Sequence, residues 1–264
     1  CRTRDSGQWC DCNHSGWRCL GHRVTTLNVN TITPAGSTLT LGASGDTIVA
    51  TDDVKVNTVK DAGGNTLWVS DGSGSLSSVN ASLGGAMKLL TTQTLTAQTS
   101  AAFTTGITST YKEYVFVFIG INPSVQQSYF EWQASTDGGS SYGITITSTA
   151  FGARHNETDG DYGLQYEANW DLAQSTNYQY MLNDLGADTD ECAVGELHLF
   201  NPASTTYVKN WYGRGSWTNG DTVPAAFDLF VGGYINTTTA INAVNFKMST
   251  GNFDGTIKMY GIAS

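Results

Sequence analysis

The sequence predicts an all-β protein, in which a repetitive β-rich stalk precedes an antiparallel, jelly-roll-like β-sandwich head. Charged residues make up 14% of the 264 residues, well below the roughly 25% of an ordinary soluble domain. Thr, Ser, Asn and Gly replace them, and these residues suit exposed strands and turns better than helix faces. Short apolar runs with a period of two recur between Gly, Asn and Asp turns, which is typical of antiparallel sheets.

The charge and hydropathy of the chain argue against two classes of partner. The net charge is -10, and it is uneven, because residues 1–23 carry four Arg against two Asp. The rest of the chain is therefore more acidic than the average and repels phosphate groups, so no nucleic-acid partner is expected. No apolar run approaches the roughly 20 residues of a membrane-spanning helix. No secretory signal is visible at the start.

Residues 1–23 form a Cys-rich leader whose composition differs from that of the remaining chain. Four of the five cysteines and two of the four histidines fall in it. Their side chains are candidates for a tetrahedral zinc site or for two disulfides in one of three pairings. The other interpretation is that this segment is a leader, a tag-like scar or an out-of-frame stretch. The residues concerned include Cys10, Cys12, His14, Cys19 and His22.

Residues 24–86 contain an internal repeat and are expected to form the stalk. Residues 29–46 align with residues 56–74 when one Gly is inserted, so that Val29 matches Val56. Each copy is typical of a short strand, a Gly turn and a second strand. Two such units bury too little apolar surface to fold alone, which predicts association of several chains about an axis. A flexible linker is the alternative.

Residues 87–264 are long enough for one β-sandwich with its own core. Both alternating faces of residues 113–121 are apolar, so this strand is expected to be central and covered on both sides. Residues 168–190 contain no capped amphipathic run and are expected to form a long loop with at most one short helix. Nine strands are predicted, over residues 88–95, 113–121, 129–135, 143–149, 193–200, 206–212, 226–235, 243–249 and 255–262.

A group of acidic residues near the end of that loop is a candidate calcium site. Carboxylate oxygens are the ligands that Ca²⁺ prefers, although no EF-hand spacing is present. The alternative is a solvated acidic loop. The residues are Asp184, Asp188, Asp190 and Glu191.

Four aromatic residues of the head are candidates for contact with a glycan or a receptor. Sugars present flat C–H faces to aromatic rings, and protein interfaces favour Tyr and Trp. Core packing and subunit contact are the alternative uses of the same rings. The four candidates are Tyr162, Tyr166, Trp170 and Trp217.

The sequence offers no pattern that favours catalysis. It has no zinc-protease, esterase or P-loop motif, and its spacing does not place two carboxylates across a cleft as a glycosidase requires. His155 and His198 are expected to be hydrogen-bonded structural residues, and Cys192 a buried structural thiol. We therefore expect a protein that is not an enzyme and holds no cofactor, calcium excepted.

Several segments resemble virion structural proteins of tailed phages. Residues 38–47, TLTLGASGDT, resemble the repeats of phage fibre shafts. The head resembles a family of phage structural proteins from aquatic environments, whereas residues 1–23 match nothing in that family. The head segments that carry the resemblance are EYVFVFI (113–119), STDGGSSYG (135–143), DLAQST (171–176), GELHLFNPASTT (195–206), VGGYINTTTA (231–240) and FKMSTGNFDGTIKMYGI (246–262).

The resemblance implies a non-enzymatic appendage or decoration protein, of a kind that is often trimeric. We expect a tail-fibre, head-fibre or head-decoration subunit that assembles as a homo-oligomer with other virion proteins of the capsid or tail. Its place is the extracellular phage particle, and host adsorption through a surface glycan is an expected further role. The alternative is a carbohydrate-binding module or a glycan-cleaving spike.

Overall fold

A computed structural model describes residues 56–79 and 86–262 of the chain. It also describes the backbone of three short strands within residues 2–19. The chain divides into two compact units, Cys1–Val56 and Asn57–Ser264. The boundaries expected from composition, after residues 23 and 86, stay predictions.

The three N-terminal strands form an antiparallel sheet in the order β1-β2-β3. They are β1 (Arg2–Asp5), β2 (Gln8–Asn13) and β3 (Gly16–Cys19). The side chains of these strands lie outside the described residues, as do His14 and His22. The zinc and disulfide hypotheses therefore stay predictions.

The second copy of the sequence repeat contains an antiparallel hairpin, with β4 (Thr58–Lys60) paired to β5 (Thr66–Ser70). A third strand, β6 (Leu76–Val79), pairs with β5. Among the side chains described within residues 56–79, none is buried. The first copy, residues 29–46, lies outside the described residues, so the stalk itself stays a prediction.

Twelve further strands build the head within the described residues. They are β7 (Met87–Gln98), β8 (Ser100–Phe103), β9 (Glu113–Pro123), β10 (Ser128–Ser135), β11 (Ile146–Asn156), β12 (Tyr162–Tyr166), β13 (Gln179–Leu185), β14 (Ala193–Phe200), β15 (Lys209–Thr218), β16 (Ala225–Ile235), β17 (Ala243–Met248) and β18 (Phe253–Ile262).

These strands form a large and a small antiparallel sheet. The large sheet has the order β12-β11-β16-β15-β14-β9-β18-β7, and the small sheet has the order β13-β10-β17-β8. The described residues contain no helix. The predicted all-β class and the antiparallel pairing are thus confirmed, and two such sheets are consistent with a β-sandwich.

Aromatic side chains from both sheets meet in the core. Phe116 of β9 lies 5.3 Å from Phe246 of β17, and Phe130 of β10 stacks on Phe246 at 5.7 Å, measured between ring centroids. Trp132 of β10 meets Trp211 of β15 edge to face at 5.1 Å. All five rings are buried. Because such rings bury large areas in specific geometries, they fix how the two sheets face each other.

The edge strand of the small sheet approaches the large sheet where the large sheet has glycines. A Cβ atom on Gly213 would lie 2.2 Å from the Met181 side chain and 2.8 Å from the Glu196 carbonyl oxygen. A Cβ atom on Gly215 would lie 2.0 Å from the Leu182 side chain. These glycines therefore make room for β13 against β15.

The small sheet does not extend across the whole inner side of the large sheet. Its edge strand β13 packs on β15 and β16. The edge of β11 that β12 leaves free is instead paired with the segment of residues 167–175. Within it, the Leu172 amide donates to Ser148 Oγ (2.8 Å), and the Ser175 carbonyl accepts a hydrogen bond from the Ile146 amide (2.8 Å).

A buried lysine anchors the loop that follows β16. Lys209 Nζ donates to the carbonyl oxygens of Thr237 (3.0 Å) and Thr239 (2.7 Å). Its side chain is fully buried, and burial lowers the pKa of the ammonium group. The two carbonyl bonds compensate part of the cost of burying this charge.

The structure contains all nine predicted strands and corrects several other expectations. The predicted loop over residues 168–190 was wrong, because β13 lies within it. Met181 and Leu182 are adjacent yet both buried, and the pairing of β13 with β10 shifts register there, which breaks the alternation expected of a strand. The short strands β8 and β12 were missed. The strand at 113–121 is central, and it is covered on both sides at Val115, which is 1% exposed, but not at Ile119, which is 44% exposed.

The close approach at Gly213 predicts a large penalty for adding one methyl group. We expect Gly213→Ala to lower the free energy of unfolding by about 1–3 kcal/mol, because the methyl group overlaps Met181 and a backbone oxygen. Chemical denaturation of the purified chain measures this change.

Gly163→Ala is the matched control, because no atom lies within 4 Å of its added Cβ. We expect it to change the free energy of unfolding by less than about 1 kcal/mol. Equal losses for the two variants would show that the packing of β13 on β15 is not tight.

Candidate functional site

The outer face of the large sheet is apolar and exposed. Ten of the sixteen large hydrophobic side chains that the described residues expose lie on this face. Strand pairing places them there, since paired residues point to the same side of a sheet. Exposed apolar surface this extensive is typical of an interaction site. The ten are Met87, Leu89, Ile119, Phe151, Tyr162, Leu164, Tyr166, Val194, Tyr212 and Phe230.

A row of aromatic side chains crosses one end of this outer face. Phe151 of β11 is paired with Tyr166 on one side and Phe230 on the other. The rings of Phe151 and Phe230 are stacked, with centroids 5.2 Å apart. Arg214 of β15 lies over the Phe230 ring, 4.7 Å from its centroid. The row thus presents a continuous ridge from β12 to β15.

The charged groups at the centre of this face are paired with one another. Arg214 forms a two-pronged bond to the Asp228 carboxylate, with Nε to Oδ1 at 2.9 Å. His198 lies 2.6 Å from Glu113 and 3.6 Å from Glu196. The hydrogen bond to Glu113 agrees with the structural role expected of His198. Arg214 and Asp228 thus form a balanced ion pair, whereas Glu113 and Glu196 share the single imidazole of His198.

The outer face of the small sheet is different in character. The Lys247 ammonium lies 2.9 Å from the Glu131 carboxylate and 4.4 Å from the centroid of the Tyr178 ring. The Tyr178 hydroxyl accepts a hydrogen bond from the Asn245 amide (3.1 Å). Glu131 and Asn245 are largely buried by these neighbours. This side of the head is polar, and its charged groups are paired with one another, although Asn245 Oδ1 is buried without a donor among the described residues.

A polar groove of about 510 Å³ lies beside β13, the edge strand of the small sheet. Its other wall is the inner side of β11 and β12. Its walls include Arg154, Trp170, Asn183, Asp184 and Asp221. Hydrogen bonds hold the walls together: the Gly220 amide donates to the Asp184 carbonyl (2.9 Å), and the Ala225 amide donates to Asn219 Oδ1 (2.7 Å).

The charges in the groove are predominantly negative. Arg154 is the only Lys or Arg among the described residues that line it, and Asp161 binds this guanidinium through two hydrogen bonds of 2.9 and 3.1 Å. Burial, and secondarily the Asp221 charge, raises the pKa of the Asp184 carboxyl above its ordinary value. In turn the Asp184 charge raises the pKa of the Tyr129 hydroxyl, which bonds to it.

One polar atom of the groove has no protein partner. Asn183 is almost fully buried, and within the described part of the chain no group donates to its Oδ1. Its Nδ2 donates to the Asp184 carboxylate (3.2 Å), which fixes the orientation of the amide, since a carboxylate can only accept. Buried acceptors are normally satisfied, but this atom exposes less than 1 Å² and therefore does not face the open space of the groove.

The structure divides the four aromatic candidates between two places. Trp170 lines the groove, and its carbonyl oxygen accepts a hydrogen bond from Gln179 Nε2 (2.7 Å). Trp217 is 4% exposed and stacks on Phe227, which also lines the groove. Tyr162 and Tyr166 are well exposed, but they belong to the outer face of the large sheet. The four do not form one site.

The acidic candidates are similarly divided. Asp184 faces the groove, whereas Glu191 Oε2 accepts a hydrogen bond from the Asp188 amide (3.1 Å) in the loop before β14. Asp190 is an exposed residue of the same loop. The described residues include no group of three or more His, Cys, Asp or Glu side chains placed to hold a metal ion. Calcium binding stays a prediction.

Sequence reasoning missed the residues that complete the groove. Arg154, Asn183 and Asp221 come from three separate elements, and no local motif joins them. The one local signal is the sequence Asn219-Gly220-Asp221, which is typical of a turn and does not by itself indicate a site. Cys192 was also misjudged, since it is exposed rather than buried: it ends the acidic loop just before β14.

No protein-family model, curated protein or solved structure matches the chain. Among the residues that the structure describes, no helix has the length and hydropathy needed to cross a membrane.

The raised pKa of Asp184 predicts that replacing it with Asn stabilises the head at neutral pH. The native state binds the Asp184 proton more tightly than the unfolded chain, so the stability it contributes is present at low pH and is lost as pH rises through the native pKa. Asp184 also has φ of 47°, a conformation that Asn tolerates well. We expect Asp184→Asn to raise Tm at pH 7.

The gain should shrink as the pH falls toward about 3, where wild-type Asp184 is protonated as well. Thermal melts of both proteins across this range measure it. A gain that did not depend on pH would contradict the proposed cost of ionising Asp184.

Proposed function

We propose that the chain is a non-enzymatic structural subunit of a tailed-phage virion, a fibre, spike or decoration protein that assembles as a homo-oligomer. The observation that carries this proposal is the exposed apolar outer face of the large sheet. Monomeric proteins rarely expose contiguous apolar patches larger than a few hundred Å², and ten large apolar side chains are exposed on this one face. The resemblance of the head segments to phage structural proteins supports the same class, with a location on the extracellular particle and a trimer as the expected state.

The occupant of this face that we propose is a second copy of the chain. Eight strands about 4.8 Å apart, each with about eight paired residues, give a footprint of roughly 900 Å². Stable interfaces bury about 800 Å² on each partner. A chain of net charge -10 repels its own copies, but on this face Asp228 and Glu113 each have a cationic or histidine partner. The Arg214–Asp228 ion pair therefore adds no net charge to this face.

The proposal assigns residues 24–86 to an oligomeric stalk and residues 87–264 to a jelly-roll-like head. The strands β4–β6 support the first part, since the side chains described there are exposed or only partly buried and need neighbours to form a core. The chain passes repeatedly between the two sheets, at β7–β8, β9–β10–β11, β13–β14 and β16–β17–β18. This alternation supports the second part. Other virion proteins of the capsid or tail are the expected attachment partners.

A carbohydrate-binding module or glycan-cleaving spike is the second candidate function. Asp184, whose pKa is raised, and Asp221 line the same groove as Trp170. Two carboxyl groups in different environments are the arrangement that glycosidases use. In this alternative the oligomer is incidental and the groove carries the function.

The interface proposal predicts that charged substitutions on the outer face dissociate the oligomer. Phe151 and Leu164 are 44% and 73% exposed, so Phe151→Glu and Leu164→Glu should leave the fold of the head intact. Each replaces an apolar contact by a negative charge in a chain that is already acidic. We expect the dissociation constant to rise at least about tenfold for each variant. Light scattering coupled to size-exclusion chromatography measures the subunit mass.

The control is Tyr207→Glu, at a position that is 69% exposed but lies outside the large sheet. It should retain the oligomer. A wild-type chain that stays at the monomer mass of 28.2 kDa would contradict the proposal, and so would oligomers unaffected by both outer-face variants.

The non-enzymatic proposal predicts no release of reducing ends from host-surface polysaccharides incubated with the wild-type protein. Asp184→Asn and Asp221→Asn serve as controls for a carboxylate-dependent reaction. Hydrolysis by the wild type that either substitution abolishes would establish the glycan-cleaving alternative.

A further inference from the structure

Charged and titratable side chains form a strip across the centre of the outer face of the large sheet. The strip crosses four neighbouring strands, β16, β15, β14 and β9. The Asp228 carboxylate binds Arg214, and Arg214 is paired across the strands with Glu196. Glu196 lies 3.6 Å from one ring nitrogen of His198, and Glu113 lies 2.6 Å from the other. Three carboxylates therefore alternate with one guanidinium and one imidazole.

The charge of this strip depends on whether the imidazole of His198 carries a proton. Near neutral pH carboxylates are ordinarily ionised and a guanidinium is always charged. With a neutral imidazole, three carboxylates face one cation, whereas a protonated imidazole completes the alternation and neutralises one carboxylate more. Histidine side chains ordinarily change charge near pH 6.5. The strip thus contains one member whose charge physiological pH can change.

The other neighbours of the imidazole do not replace this positive charge. The Tyr212 ring of β15 stacks on the imidazole, with centroids 4.6 Å apart. Burial first, and then the charges of Glu113 and Glu196, raise the pKa of the Tyr212 hydroxyl, so the field of both carboxylates extends over the stacked ring. On the other side β9 places Val115 opposite His198. The remaining titratable side chains on this face nearby are Lys258 and Tyr260 of β18, one strand beyond β9.

Water is distributed unequally over the imidazole and its two carboxylates. The side chain of His198 is 15% exposed, whereas those of Glu113 and Glu196 are 27% and 48% exposed. A second copy that covers the face therefore removes water chiefly from the carboxylates and little from the imidazole. Carboxylates without water interact more strongly with a nearby positive charge, and they are costly to leave unneutralised. The covered face consequently binds the imidazole proton more tightly than the open face.

We propose that protonation of His198 between Glu113 and Glu196 strengthens the contact between copies at the outer face, so that the assembly tightens as the pH falls. This inference rests on the proposed function, because it requires a second copy on that face. Linkage gives the sign. The assembled state binds more protons, so it is favoured as the pH falls through the range in which the imidazole gains its proton. The effect ends where both states are protonated.

The experiment measures the dissociation constant of the full chain at pH 7.5 and pH 5.5 by sedimentation equilibrium at one ionic strength. Free carboxyl groups titrate near pH 4, below this range. We expect the dissociation constant of the wild type to fall at least about tenfold on acidification. His198→Gln keeps a polar side chain that cannot be protonated, and it should lose most of this change.

His155→Gln is the matched control. The His155 side chain is 60% exposed and has one carboxylate neighbour, Asp159 at 3.0 Å, instead of two. It should keep the pH dependence of the wild type. The reduction of net charge on acidification acts on all these proteins alike, so the difference between the two histidine variants isolates the contribution of His198.

Glu196→Gln tests the same strip in the opposite direction. It removes one carboxylate whose side chain is 48% exposed, so the fold should be kept. Near neutral pH the strip then has the surplus of charge that the wild type has when protonated. We expect this variant to assemble at pH 7.5 about tenfold more tightly than the wild type. Dilution calorimetry in two buffers of different ionisation enthalpy measures the protons that dissociation of the wild type releases, which a merely structural role of His198 would not produce.

The possible failures of the inference and of the assembly can be told apart. A wild-type assembly whose dissociation constant changes with pH as much as that of His198→Gln overturns the inference alone, and so does one that weakens on acidification. Assembly lost at both pH values in His198→Gln, with an unchanged circular dichroism spectrum, would assign His198 a structural role and also overturn it. A wild-type chain that is a monomer at both pH values contradicts the proposed assembly, and the inference with it.

Discussion

The organisation of the head depends on one mismatch of width, because a sheet of eight strands packs against a sheet of only four. The aromatic contacts of Phe116, Phe130 and Phe246 hold the two sheets together. Gly213 and Gly215 let β13 approach closely at the border of the small sheet. Beyond that border the inner side of β11 and β12 needs other cover, and residues 167–175 provide it incompletely. The groove is the part of this region that stays open.

Charged side chains are arranged differently on the outer face of the large sheet and in the groove. On the outer face of the large sheet, Arg214 pairs with Asp228, whereas Glu113 and Glu196 share His198. In the groove, Asp184 and Asp221 share one space without a free cation, and the pKa of Asp184 is raised as a result of burial and of this neighbour.

The sequence was informative where structure is local. Alternation along Glu113–Pro123 and the Asn/Asp/Gly turns predicted the long strands and the all-β class, because those patterns depend on neighbours in the chain. It failed at β13, where a register shift places Met181 and Leu182 in the core together. The residues of the groove were harder still to predict from the sequence. Trp170, a candidate for glycan or receptor contact by residue type, lines the groove. Arg154, Asn183 and Asp221 become its neighbours only through the pairing of distant strands, and that pairing is not encoded in any local spacing.

The central claim is that further copies of the chain cover the outer face of the large sheet. Hydroxyl-radical footprinting of the assembled protein tests it directly, because the rate of side-chain oxidation reports solvent access at single residues. Phe151, Tyr212 and Phe230 should be oxidised much more slowly than Tyr207, and dilution to monomers should remove the difference, since all four are exposed in the single chain. Oxidation of the three outer-face rings at the rate of Tyr207 in the assembled protein would contradict the account.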